Sequence, residues 1–186
     1  MLRFAAGDSR RRVRQPLPGR RRRLSDWCSR PAWHHGRVLS VEFRVGSAAH
    51  PPASELIAAL LAEYDEMAGR ALRGGPSATP EDFSPPSGAY LVGFIDHTAA
   101  CGGGIKTLGD GVAELKRMYV IPAFRGRGLA RVLLDALEQT ARNHGHRAVR
   151  LDSQAGTWPM YQAAGYREIA DYNDNPHADF WGEKRL

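Results

Sequence analysis

Cysteine, lysine and long apolar runs are what this 186-residue sequence has least of. Two cysteines, Cys28 and Cys101, cannot build a disulfide framework, which excludes the small disulfide-stapled secreted folds. No run of about 18 apolar residues occurs, so neither a transmembrane helix nor a membrane partner is expected. The "RRR" cluster is not followed by an apolar segment, which argues against a twin-arginine export signal and leaves a cytoplasmic protein as the expectation. The histidines show no metal-ligand spacing, and His144 and His146 flank Gly145 where helix-end capping explains them, so no metal site is expected. Three lysines stand against 23 arginines, and Ala, Gly and Pro are abundant. All four plentiful residues have GC-rich codons, which points to a bacterial genome rather than to a mechanism. No internal repeat is present.

What is there divides unevenly. Residues 1–37 hold eleven arginines against Asp8 and Asp26, a balance of +9, so that the remaining residues carry −3 of the total of +6. This segment lacks apolar periodicity and contains prolines, so it is expected to be a disordered arm, with the folded domain spanning 38–186. Three readings of the arm stay open: a nucleic-acid or anionic-surface arm, a transit-peptide-like segment, or sequence upstream of a true start near Val38 or Val41.

Within the body, "VEFRV" (41–45) alternates as a strand does. "ASELIAALLAEYDEMAGRAL" repeats apolar residues at helical spacing, with Ser54 as the candidate N-cap. A Pro/Gly loop (74–88) follows. Strands are expected over 89–96, 99–108 and 111–121, then a helix over 126–144 stopped by Gly145, a strand over 147–152, a short helix near 158–164, and last strands at "YREI" and "ADFWGEKRL". That order predicts an α/β fold with one mixed, mostly antiparallel sheet flanked by helices. Gly102–Gly104 are expected to mark a bulge or a close strand contact.

The most informative stretch is "RMYVIPAFRGRGLARVLL" (117–134), where a β-branched and aromatic run ends at Pro122 and a helix opens after two glycines. Leading N–H groups and a positive dipole at such a helix start make a socket for an anion, and an ordinary tight turn is the alternative. A dinucleotide fingerprint would need a third glycine where Arg131 stands, and a P-loop would need a Gly-Lys-Ser/Thr ending.

Taken in order, "VAELKRM", "YVIPAFRGRGLA" and "MYQAAGYREI" resemble the fourth strand, the acyl-CoA motif and the closing Tyr-x-x-x-Gly-Phe/Tyr motif of the GNAT (Gcn5-related N-acetyltransferase) superfamily. The resemblance covers roughly 41–186. It implies a sheet splayed between its fourth and fifth strands (111–121 and 147–152), acetyl-CoA as acyl donor, and transfer to a primary amine by direct attack in a ternary complex. It also implies that the backbone of Arg125, Gly126, Arg127, Gly128, Leu129 and Ala130 surrounds the pyrophosphate, with Arg125 and Arg127 adding charge. Met118 and Val120, with Tyr119 between them, would line the pantetheine arm, and Gln154 stands where the family often has asparagine. Glu114 would be the general base and Tyr161 the acid that protonates the thiolate. Period-2 alternation puts Glu114, Lys116, Met118 and Val120 on one face. Asp174 and Asp179 are the candidates for drawing in a cationic acceptor.

Each assignment has a plainer alternative: a solvent-facing Glu114 paired with Lys116 or Arg117, Tyr161 packed on the sheet, and aspartates that only cap turns. Pro159 belongs in the first turn of its helix, with Thr157 as candidate cap. Cys101 has no catalytic partner nearby in sequence and is not expected to be a nucleophile. A small-molecule or peptide amine is the expected acceptor, homodimerisation is open, and nucleic acid is a partner only if the arm is real. Two other functions remain: a non-catalytic acyl-CoA sensor with this fold, and a nucleic-acid-associated protein acting through the arm.

Overall fold

The structure is a computed structural model describing residues 28–34, 37–68 and 78–186. Its elements are β1 (Cys28–His34), β2 (Arg37–Gly46), α1 (Ala53–Ala68), β3 (Gly88–Ile95), β4 (Thr98–Gly109), β5 (Val112–Val120), α2 (Leu129–Asn143), β6 (Ala148–Ser153), α3 (Trp158–Ala163), β7 (Arg167–Ile169) and β8 (Phe180–Arg185). Eight strands form one sheet in the order β1-β2-β3-β4-β5-β6-β8-β7, antiparallel except where β5 meets β6. The expected single mixed sheet is therefore present.

β3 is buried over nearly its whole length, as a central strand covered on both faces must be. Leu91 and Ile95 pack on the α2 side, whereas Tyr90 and Val92 pack with Leu56 and Leu60 of α1. On α2, Leu129, Leu133, Leu134 and Leu137 lie essentially out of water, each stabilising the fold by roughly 2 kcal/mol. Gly145, in the left-handed conformation, ends that helix as the sequence predicts.

Three expectations are corrected. Cys28–His34, inside the expected arm, pairs antiparallel with β2 as an edge strand, a position that tolerates Pro31 and needs little apolar alternation. Residues 1–27, 35–36 and 69–77, which include the end of the expected first helix and the start of the Pro/Gly loop, lie outside the described residues. Ser54 is not a cap, because α1 already begins at Ala53 and the Ser54 N–H donates to His50 O. Thr157 does hold the N-cap position of α3, but its hydroxyl donates back to Gln154 O and caps nothing.

Candidate active site

The site grows from one interruption in the sheet. β5 and β6 pair only at Val112↔Ala148, Ala113↔Val149 and Glu114↔Arg150. Beyond that point the two strands part and leave a cleft. The Ile121 N–H donates to Ala100 O on β4, so by alternation the backbone groups of Tyr119 also turn to β4. Those of Met118 and Val120 then face the cleft, and an extended ligand can pair with them as an added strand.

A bulge controls what else faces it. Register passes from Gly104↔Lys116 to Gly102↔Tyr119, so Arg117 and Met118 together oppose Gly103, and Arg117 takes φ 58°. The extra residue reverses the alternation. Ala113 and Leu115 pack on the α2 side before it; Met118 and Val120 do so after it. Glu114 and Lys116 therefore share the opposite face, and the expectation that all four residues lie together is overturned. The glycines permit the close packing: a Cβ on Gly103 would come within 2.9 Å of Leu137, and one on Gly104 within 2.3 Å of Phe83.

The cleft leads to the glycine turn. Gly126 and Gly128 have φ 71° and 74°, values that favour glycine, and a Cβ on either would meet nothing within 4 Å. The outer side of the turn is thus open. Arg131 and Val132 close their N–H groups on Gly128 O, while Leu129 and Ala130 head a 15-residue helix with no acidic residue in its first turn. Their backbone, and not the buried Leu129 side chain, meets the opening. Open space, leading N–H groups and an uncancelled dipole suit a diphosphate. Arg127 lies over the Phe124 ring at 5.3 Å. Arg125 is engaged elsewhere: its Nη2 donates to both Glu63 oxygens at 2.7 and 2.8 Å, and its Nε to Val120 O at 2.8 Å. Ser153, buried at the end of β6, has a hydroxyl with no partner among the described residues, which fits an amide-bearing ligand in the cleft.

On the α1 side of the cleft lies a buried polar cluster. Glu114 is 1% exposed. Its Oε1 accepts from Tyr172 at 2.7 Å and Asn173 at 3.0 Å, with Lys116 at 3.3 Å, and Lys106 approaches Oε2 at 3.3 Å. Lys116 also pairs with Asp152, which accepts from Asn173 Nδ2 at 2.6 Å. Burial pushes the Asp152 pKa up, but the Lys116 charge and hydrogen bonds from Lys116, Asn173 and Asn175 outweigh it and hold it below the usual carboxylate range. Burial, then the adjacent Glu114 carboxylate, pushes the Tyr172 hydroxyl far up, so it remains a donor. Trp181 Nε1 donates to Asn173 Oδ1 at 2.8 Å and fixes that amide. Glu114 is consequently not the solvent-facing glutamate of the plainer alternative, although its bond to Lys116 is present.

Tyr161 projects from α3, where Pro159 does occupy the first turn. Its hydroxyl points to Met118 Sδ at 3.7 Å, beside the cleft, and burial, then Tyr64 and Asp152, keep it protonated. It also packs edge-on to Tyr166. The acceptor-side aspartates separate. Asp179 accepts the Ala155 N–H at 2.8 Å and so closes the loop after β6. Asp174 is exposed, and its N–H, like that of Asn173, bonds Asp171 Oδ1. Gln154 contributes its backbone carbonyl to the start of α3. Cys101 is buried and its thiol pushed up to about 12, as suits a packing residue.

Sequence reasoning missed Lys106, Asp152, Tyr172, Asn173 and Ser153. A signal existed for one of them: Arg150 and Asp152 alternate with Val149 and Leu151, placing two charges on one face of a short strand beside Glu114 and Lys116.

Comparisons with known proteins agree with this geometry. The model of the acetyltransferase (GNAT) family matches residues 53–166. The uncharacterized N-acetyltransferase YjgM of Escherichia coli (strain K12) is 37% identical over 97 residues, 48% of this chain and 57% of that protein, so the chain spans little more than half of that relative. Among solved structures, the PaiA N-acetyltransferase from Thermoplasma acidophilum in complex with coenzyme A superposes with TM-score 0.60 at 20% identity, over 80% of this chain and 100% of that one. A GNAT family acetyltransferase from Elizabethkingia anophelis with acetyl-CoA bound gives 0.58 at 13%, over 78% and 98%.

Proposed function

Because the chain belongs to the GNAT acetyltransferase family, we propose that it transfers an acetyl group from acetyl-CoA to a primary amine by direct attack within a ternary complex. The observation that carries this reading is the continuity of the β5–β6 cleft with the open glycine turn of α2. Acetyl-CoA supplies the activated thioester. The turn and Arg127 hold its phosphates, the backbone of Met118 and Val120 holds its extended arm, and an N–H of this strand polarises the acyl oxygen. The coenzyme-bound neighbours support the choice of donor.

An ammonium with pKa near 10.4 is neutral only to about one part in a thousand at pH 7, so it must lose a proton. Glu114 takes that proton through a bridging water at Oε2, which among the described residues meets only Lys106 at 3.3 Å, while Oε1 is filled by Tyr172, Asn173 and Lys116. Tyr161 Oη returns a proton to the leaving thiolate. Glu114, Asp152, Glu183 and Glu63 are each balanced by Lys106, Lys116, Arg150 or Arg125, which leaves attraction of a cationic amine to the exposed Asp171, Asp174 and Asp179.

The test is thiol release from acetyl-CoA over a panel of amino acids, amino-terminal peptides and polyamines. Turnover with a primary amine is expected, and Glu114→Gln should lower kcat/KM by roughly 10²-fold while leaving the acetyl-CoA affinity unchanged. Tight acetyl-CoA binding without turnover on any amine would instead favour a sensor.

A further inference from the structure

We propose that Glu63 is a positioning residue for the acyl donor: through Arg125 it locks the glycine turn to the end of β5. The proposal rests on reading that turn as the donor site. One carboxylate on α1 gathers three contacts. It receives the Tyr119 hydroxyl at 2.6 Å and takes Arg125 Nη2 on both oxygens, at 2.7 and 2.8 Å. The guanidinium so held lies over the Tyr119 ring, its Cζ 5.3 Å from the centroid, and its Nε reaches Val120 O at 2.8 Å. The acid on α1, the last two residues of β5 and the first residue of the turn become one unit.

Position, rather than stability, is the consequence. The Arg125 and Glu63 side chains are 46% and 33% exposed, and pairs in such surroundings stabilise folded proteins little. Geometry is another matter, because two nitrogens of one rigid plane donate in different directions, Nη2 to the Glu63 carboxylate and Nε to Val120 O, and so fix direction as well as distance. Val120 has its C=O on the cleft side of β5, where the donor's arm would pair, and Arg125 opens the segment that would hold its phosphates. A shift between them would misalign the two halves of one binding groove. Glu63 also neutralises the arginine at the mouth of the turn and turns it toward α1, which leaves phosphate contact to Arg127 and the backbone N–H groups.

Calorimetric titration of the full chain with acetyl-CoA tests this, using wild type, Glu63→Ala, Arg125→Ala and the double variant. Each single change should weaken binding about tenfold, and the double change no more than the larger single one, because both break the same unit. Glu63→Gln, whose one amide oxygen can still accept from both Tyr119 and Arg125 Nη2, should regain part of the affinity. Should Glu63→Ala fail to fold, Glu63→Leu and Arg125→Lys carry the same comparison, since a single ammonium cannot bridge Glu63 and Val120 O as two guanidinium nitrogens do and should bind as weakly as Arg125→Ala. A folded Glu63→Ala protein that binds as tightly as wild type, or losses that add in the double variant, would overturn the proposal alone. Absence of binding by the wild-type protein would overturn the donor-site reading and the proposal with it.

Discussion

At the scale of single residues, the feature that stands out is the pairing of the buried Glu114 and the largely buried Asp152 carboxylates with two lysines beside the cleft. Such a cluster is poor as a source of stability but costly to break, because removing one partner strands the other. Asp152 makes the point measurable. Its pKa is depressed in the folded protein. The stability it contributes is therefore fully present above the unfolded carboxylate value of about 3.9 and is lost as pH falls through the lower folded value. Asp152→Asn should cost about 3 kcal/mol at pH 7 in urea unfolding, with the gap to wild type narrowing as the pH drops below about 3.9. A gap unchanged between pH 7 and pH 3 would show that Asp152 is not held ionised by Lys116. This cluster was only half legible in the sequence. Glu114 was singled out through the resemblance of its strand to the family's fourth strand, whereas Tyr172 and Asn173 come from a turn-rich segment whose path back over β5 no local pattern encodes.

At the scale of elements, the glycine turn and the bulge show why some of the site could be read and some could not. The turn is a local event: Gly126 and Gly128 need φ near 70°, the helix periodicity starts directly after them, and all of this lies within a dozen residues. The bulge depends on a partner strand. Gly102–Gly104 do mark a bulge and a close contact, as expected, but nothing around Arg117 says that the extra residue falls there, so period-2 alternation put Met118 and Val120 on the wrong face. β1 was missed for a related reason, since an edge strand paired on one side needs no strong pattern of its own. The glycines opposite the bulge carry their own prediction. A methyl group at Gly104 would sit 2.3 Å from the Phe83 ring, so Gly104→Ala should destabilise the domain by roughly 1–3 kcal/mol, read as a lowered urea midpoint with unchanged slope. A midpoint equal to wild type would mean that the Phe83 side chain yields without cost.

At the scale of the whole molecule, one sheet separates two jobs. Its α2 side carries the larger apolar core and the helix that opens at the glycine turn, while the α1 side near the cleft carries the ion-paired cluster and the segment 171–179 that bonds to it. The charge asymmetry of the chain, +9 in residues 1–37 against −3 beyond, belongs to neither job and keeps a nucleic-acid role for the arm as a separate question. Family membership and architecture follow from features spread along the whole body; the acceptor does not, because loop residues with few partners decide it. The central claim is that the cleft and turn form a donor site. Calorimetric titration of the full chain with acetyl-CoA, beside a folded Gly126→Glu variant that puts bulk and negative charge into the open side of the turn, tests it most directly. Micromolar binding by wild type that is lost in the variant is the predicted result; equal binding by both proteins, or none by a well-folded wild type, would contradict it.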